Sequence, residues 1–89
     1  MKIKKGFILR EMPGGTSVVV GVGENSEKLK GYLTLNESGA FIWKILEKGA
    51  TVDEIVSEIL KEYDVEEGIV KADVTAVVSK LKEIGALDD

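Results

Sequence analysis

Few residues in this chain could carry out chemistry on a substrate. His and Cys are both absent, which removes the usual general base near neutral pH, thiolate nucleophiles and the commonest metal ligands. Carboxylates, lysines and tyrosines remain. The acidic pairs Asp53-Glu54, Glu66-Glu67 and Asp88-Asp89 have the composition of an acid–base dyad or a calcium site. Each pair, however, stands at a predicted helix start or in the terminal tail, where acidic side chains favour the helix dipole or are simply solvated. Gly21-Val22-Gly23 resembles a piece of a glycine-rich phosphate loop, but no lysine or helix start follows at the required spacing. Trp43 sits among Phe41, Ile42 and Leu46 and reads as core rather than as a stacking platform. No reaction can be assembled from these parts. The expectation is a binding module with no catalytic residue, no cofactor and no metal.

Composition narrows the class further. The 89 residues make a single domain spanning 1–89, near the lower end of the size at which a hydrophobic core suffices without staples. With 44% apolar and 31% charged residues the balance is that of an ordinary globular chain able to fold alone. Apolar runs fall far short of a membrane span, and Met1-Lys2-Ile3-Lys4-Lys5 lacks the apolar stretch of a signal peptide, so a cytoplasmic location is expected. The net charge is −4, from 16 acidic and 12 basic residues, and Arg10 is the only arginine. A reader of duplex DNA normally presents a basic face with arginines for phosphates and guanine edges. Charge therefore argues against a nucleic-acid partner.

The elements that would position a binding surface are legible from periodicity. Phe7 and Leu9 alternate with Ile8, Arg10 and Met12 until Pro13-Gly14-Gly15, which predicts a strand and a turn. Val18-Val19-Val20-Gly21-Val22 is short and β-branched, as the second strand of a hairpin would be. A polar loop follows over 23–30, and Tyr32-Leu33-Thr34-Leu35 alternates again as a third strand. Asn36 can cap the next helix, which carries Ala40, Phe41, Trp43, Ile45 and Leu46 and runs to Gly49. Thr51-Val52-Asp53-Glu54 is a capping box for a second helix. Val52, Ile55, Val56, Ile59, Leu60 and Tyr63 form its apolar stripe. A third helix is predicted over 67–84, with Val70, Val74, Val77, Leu81 and Ile84 toward the core and Gly85 as a left-handed cap. Ala86-Leu87 then turns back to the body. The fold class is α+β, winged helix-turn-helix-like, a three-stranded antiparallel sheet followed by three helices.

Two features of this arrangement leave surface open. In meander order the third strand, Gly31, Tyr32, Leu33, Thr34 and Leu35, is an edge strand with unpaired amides and carbonyls. On the third helix a second row, Ile69, Ala72, Ala76, Ser79 and Glu83, lies about a third of a turn from the core stripe. Small side chains dominate it. Ala72 and Ala76 could be no more than good helix formers on a half-exposed face; the sharper reading is a shallow groove wall, with Lys80 beside it.

The ordered set Leu35-Asn36, Ala40, Ile42, Leu46, Gly49, Thr51-Val52, Glu54-Ile55, Leu60, Tyr63-Asp64, Asp73-Val74, Leu81 and Gly85-Ala86-Leu87 resembles the PqqD family, the pyrroloquinoline quinone biosynthesis protein D group and namesake of the RiPP recognition elements. The likeness is close from Leu35 onward and holds only in outline over the N-terminal strands. Glu24-Asn25-Ser26-Glu27-Lys28-Leu29-Lys30 departs from the proline-containing stretch usual before the third strand. The resemblance implies a peptide chaperone that binds the leader segment of a ribosomally made precursor. The leader would add as a strand to the third strand, lie against the third helix, and be presented to a maturation enzyme, often a radical S-adenosylmethionine protein. Two other classes share this outline. A winged-helix regulator would need a clustered basic face, whereas Lys71, Lys80 and Lys82 are the only cations on the third helix. A structural module would pair its free edge with a second copy as a homodimer.

Overall fold

The computed structural model describes residues 1–23 and 33–88. In chain order the elements are β1 (Lys2–Ile3), β2 (Phe7–Glu11), β3 (Ser17–Gly21), β4 (Leu33–Leu35), α1 (Glu37–Lys48), α2 (Val52–Glu62), α3 (Glu67–Glu83) and β5 (Leu87–Asp88). The predicted three-stranded meander is present as the antiparallel sheet β2-β3-β4, with Leu9 opposite Val19 and Val19 opposite Leu33. The hairpin closes through the Met12 amide, which donates to the Thr16 carbonyl at 2.8 Å. Gly14 (φ 90°) and Gly15 (φ 82°) supply the positive φ that this turn requires. The second strand begins at Ser17 rather than Val18 and ends before Val22, which is exposed.

A second, two-stranded ribbon was not foreseen. β1 pairs with β5, Lys2 opposite Asp88 and Ile3 opposite Leu87, and the Lys4 amide donates to the Ala86 carbonyl. The Ala50 amide donates to the Met1 carbonyl, so both ends of the chain and the α1–α2 corner are stitched together. This is where the turn back at Ala86-Leu87 leads.

The helix starts follow their caps. Asn36 Oδ1 accepts from the Gly39 amide at 3.0 Å, Thr51 Oγ1 from the Glu54 amide at 3.2 Å, and Glu54 Oε1 from the Thr51 amide at 2.9 Å. These bonds satisfy donors that the first turn of a helix leaves free. Gly85, with φ 75°, stands just past the end of α3.

Trp43, Ile42, Leu46, Ile55, Leu81, Val19 and Val74 are the fully buried centre of one apolar cluster drawn from both layers. Two assignments along the helical stripes change. On α3 the buried set is Val70, Val74, Val78 and Leu81, while Val77 and Ile84 are half-buried. Both α1 and α2 pack against this helix, and two neighbours bury a wider arc than a single stripe. On α2, Tyr63 lies past the last turn and is 48% exposed.

The corner between β4 and α1 is a close approach. A Cβ on Gly39 would lie 3.0 Å from Leu35 Cβ and 3.2 Å from Leu35 Cδ2, and Leu35 is itself core. Gly39→Val should therefore lose about 1–3 kcal/mol of stability through overpacking. A urea titration measures this; an unchanged midpoint would mean that the corner yields freely.

Candidate functional site

β4 is held on one side only. Its three residues pair with β3, and among the described residues no strand lies on its outer side. Successive residues of an extended strand direct their amides and carbonyls to opposite edges, so part of this backbone is left open to a further strand. Leu35 is buried, Leu33 half-buried and Thr34 exposed, which keeps the strand anchored to the core while its edge stays accessible. Gly31 and Tyr32, predicted to extend this edge, lie outside the described residues.

The predicted row on α3 is on the surface. Ile69, Ala72, Ala76, Ser79, Lys80 and Glu83 are all exposed, so none is committed to the core. They are not equivalent. Ile69 lines a cleft of about 250 Å³ where the first turns of α1 and α3 meet the end of α2; the other five do not line it.

This cleft was missing from the sequence reading. Its floor is apolar, formed by Phe41, Ile42, Ile59 and Val70, and its rim carries Tyr63, Val65 and Ile69. Those three rim residues are 48%, 46% and 58% exposed, an unusual local density of large apolar side chains facing water. Phe41 and Tyr63 meet edge to face, with ring centroids 5.8 Å apart and planes at 85°, which fixes one wall. One sequence signal could have found it: Val65 is an apolar residue in an otherwise acidic connection, between Asp64 and Glu66.

Among the described residues, charge around the cleft has one sign: Glu37 and Asp73 are its charged lining residues, and no described lysine or arginine lines it. The wider groove between α1 and α2 differs, because Lys44, Lys48 and Lys61 stand there against Glu47, Glu54 and Glu58. One of those lysines is also tied to the hairpin. Lys44 Nζ lies 2.8 Å from Glu11 Oε1; the hydrogen bond and the lysine charge hold the Glu11 carboxyl below its ordinary value and raise the Lys44 ammonium. The pair is exposed and adds little to stability.

The two acidic pairs within the described residues stand at separate helix starts, and Asp89 of the third pair lies outside the described residues. Asp53-Glu54 starts α2, and Glu66-Glu67 starts α3. Among the described residues, no cluster of three or more acidic side chains is placed to hold a metal ion, and no helix is long and apolar enough to cross a membrane. What the arrangement offers is an open strand edge, an apolar cleft lined by the first turns of the helix that follows it, and an exposed helix face.

A family model described as coenzyme PQQ synthesis protein D (PqqD) matches residues 7–87. Two solved structures are similar over nearly the whole chain. The structure of TbiB1 in complex with the TbiA(beta) leader peptide has 26% sequence identity and a TM-score of 0.76, covering 99% of this chain and 95% of that one. The structure of lasso peptide synthetase B1 complexed with the leader peptide has 25% identity and a TM-score of 0.71, covering 96% and 93%. The search of curated proteins yielded no significant match.

Proposed function

The chain belongs to the PqqD family, and from that premise we propose that it is a peptide chaperone for the leader segment of a ribosomally made precursor. The observation that carries this is the likeness, along nearly the full length of both chains, to two proteins whose structures hold leader peptides. The leader adds as a strand to the open edge of β4 and lies along α3. Ile69, Ala72, Ala76, Ser79, Lys80 and Glu83 face it there, and Leu33, Thr34 and Leu35 carry the pairing. Main-chain hydrogen bonds contribute about 0.5–1.5 kcal/mol net each, and buried apolar anchors about 1.5–3 kcal/mol each. Set against the ordering of a flexible peptide, these support binding in the micromolar range or somewhat tighter, about −8 kcal/mol at 1 μM.

The chain acts by recognition and not by catalysis. It works in the cytoplasm, where precursors are translated, and hands the core segment to a maturation enzyme, a radical S-adenosylmethionine protein being the class that the family favours. A homodimer would use the same β4 edge and so compete with the leader.

The test is an amide-shift titration of the isotope-labelled chain with synthetic leader segments of the short peptides encoded beside its gene. Shifts are expected at 33–35 and along α3, with the exposed face of α2 quiet. Affinity should change by less than about tenfold between about 50 and 200 mM salt, and random duplex DNA should not bind. Shifts confined to α2, or tight salt-sensitive association with DNA, would overturn the reading.

A further inference from the structure

The cleft between α1 and α3 has a chemistry that the strand edge lacks. Main-chain pairing along β4 reads few side chains, because every residue offers the same amide and carbonyl. Specificity for one precursor must come from pockets beside the strand. At about 250 Å³ this cleft is smaller than the roughly 300–1,000 Å³ typical of small-molecule sites. It is the right scale for a side chain.

Its place in the fold ties it to the bound peptide. Glu37 lies two residues past Leu35, the last residue of β4. A peptide paired with β4 and running on past Leu35 would come toward the start of α1, whose first turns line the cleft. Tyr63, Val65 and Ile69 leave apolar surface in water that an entering side chain would cover.

Charge selects what accompanies that side chain. Glu37 and Asp73 are exposed, form no ion pair among the described residues, and line a cleft that no described lysine or arginine lines; the Glu37 carboxylate also borders Gly15 of the hairpin turn. A second copy of a chain with net charge −4 is a poor occupant. A basic peptide is a good one.

We infer that this cleft takes one bulky apolar side chain of the leader, aromatic or leucine-like, and that Glu37 and Asp73 select a lysine or arginine within one or two residues of that anchor. The inference rests on the leader-binding reading. It makes Glu37, Ile69 and Asp73 specificity determinants.

The experiment is selection of random peptides displayed against the immobilised full chain, repeated against a Glu37→Gln plus Asp73→Asn double variant whose fold is checked by circular dichroism. Peptides enriched on the wild type should carry a bulky apolar residue next to Lys or Arg. The double variant should keep the apolar preference and lose the basic one. In synthetic versions, replacing the basic residue by Gln should weaken wild-type binding about two- to tenfold and double-variant binding by less than about twofold. Enriched peptides that shift the amides of 33–35 without any basic preference would overturn the inference and leave leader binding standing. No enrichment of any peptide would overturn both.

Discussion

Trp43→Ala is expected to lose about 3–5 kcal/mol of folding stability. Trp43 is 1% exposed and is the largest of the fully buried side chains, in one cluster with Ile42, Leu46, Ile55 and Leu81. Removing it forfeits both the transfer of the indole from water and the contacts that line the resulting void. A domain of this size has roughly 0.05–0.15 kcal/mol of stability per residue, so the loss is comparable with the whole. The variant should unfold at a much lower urea concentration, with an unchanged denaturant dependence where a folded baseline survives. A midpoint shifted by the equivalent of less than about 1 kcal/mol would mean that the site collapses around the vacancy. It would also reopen the idea that Trp43 serves a ligand instead of the core.

Ile69→Asn should do the opposite. Ile69 is 58% exposed at the start of α3, so stability should stay within about 0.5 kcal/mol of the wild type. Peptide affinity should fall about tenfold, because a residue on the cleft rim loses most of its apolar contact with the anchor. Each factor of ten corresponds to about 1.4 kcal/mol, and burying one aliphatic side chain contributes about 1.5–3 kcal/mol. Calorimetric titration with a selected peptide and a urea melt on the same sample decide the matter. Unchanged affinity would move the anchor elsewhere on α3, and a large stability loss would make Ile69 a core residue. Ala76→Asn is the companion variant. Ala76 is exposed but does not line the cleft, so its effect reports how far along α3 the peptide contact extends.

Binding and folding are separable at the exposed rim and helix face, while Ile42, Ile59 and Val70 on the cleft floor belong to the core. Leu35 joins the two on the strand side. It is buried, closes the strand that offers the edge, and lies closer than ordinary van der Waals contact to the Cβ that Gly39 lacks. Strain at that corner would reach the site through the backbone of β4 and the first turn of α1, where Glu37 stands.

Local rules alone determined the three strands of the main sheet and the three helices. Asn36, the Thr51–Glu54 box and Gly85 marked helix ends because capping bonds span three or four residues and leave a compact sequence signature. Strand alternation placed the hairpin, and the absence of His and Cys pointed away from catalysis. The PqqD resemblance was also legible, since it rests on an ordered set of such local signals. Tertiary structure decided the rest. β1 and β5 have two residues each, too few to show a period, and their partners sit at opposite ends of the chain. Whether Val77 or Val78 is buried depended on two helices approaching α3 at once. Tyr63 fitted the stripe of α2 by spacing, yet the helix ends one residue earlier, and the ring stands half-exposed against Phe41 instead of in the core. The cleft belongs to no segment: Glu37, Ile59, Tyr63, Ile69 and Asp73 come from three helices and the α2–α3 connection. A period along one helix says which face is apolar, and only the packing of that face against distant neighbours says where the apolar surface remains open.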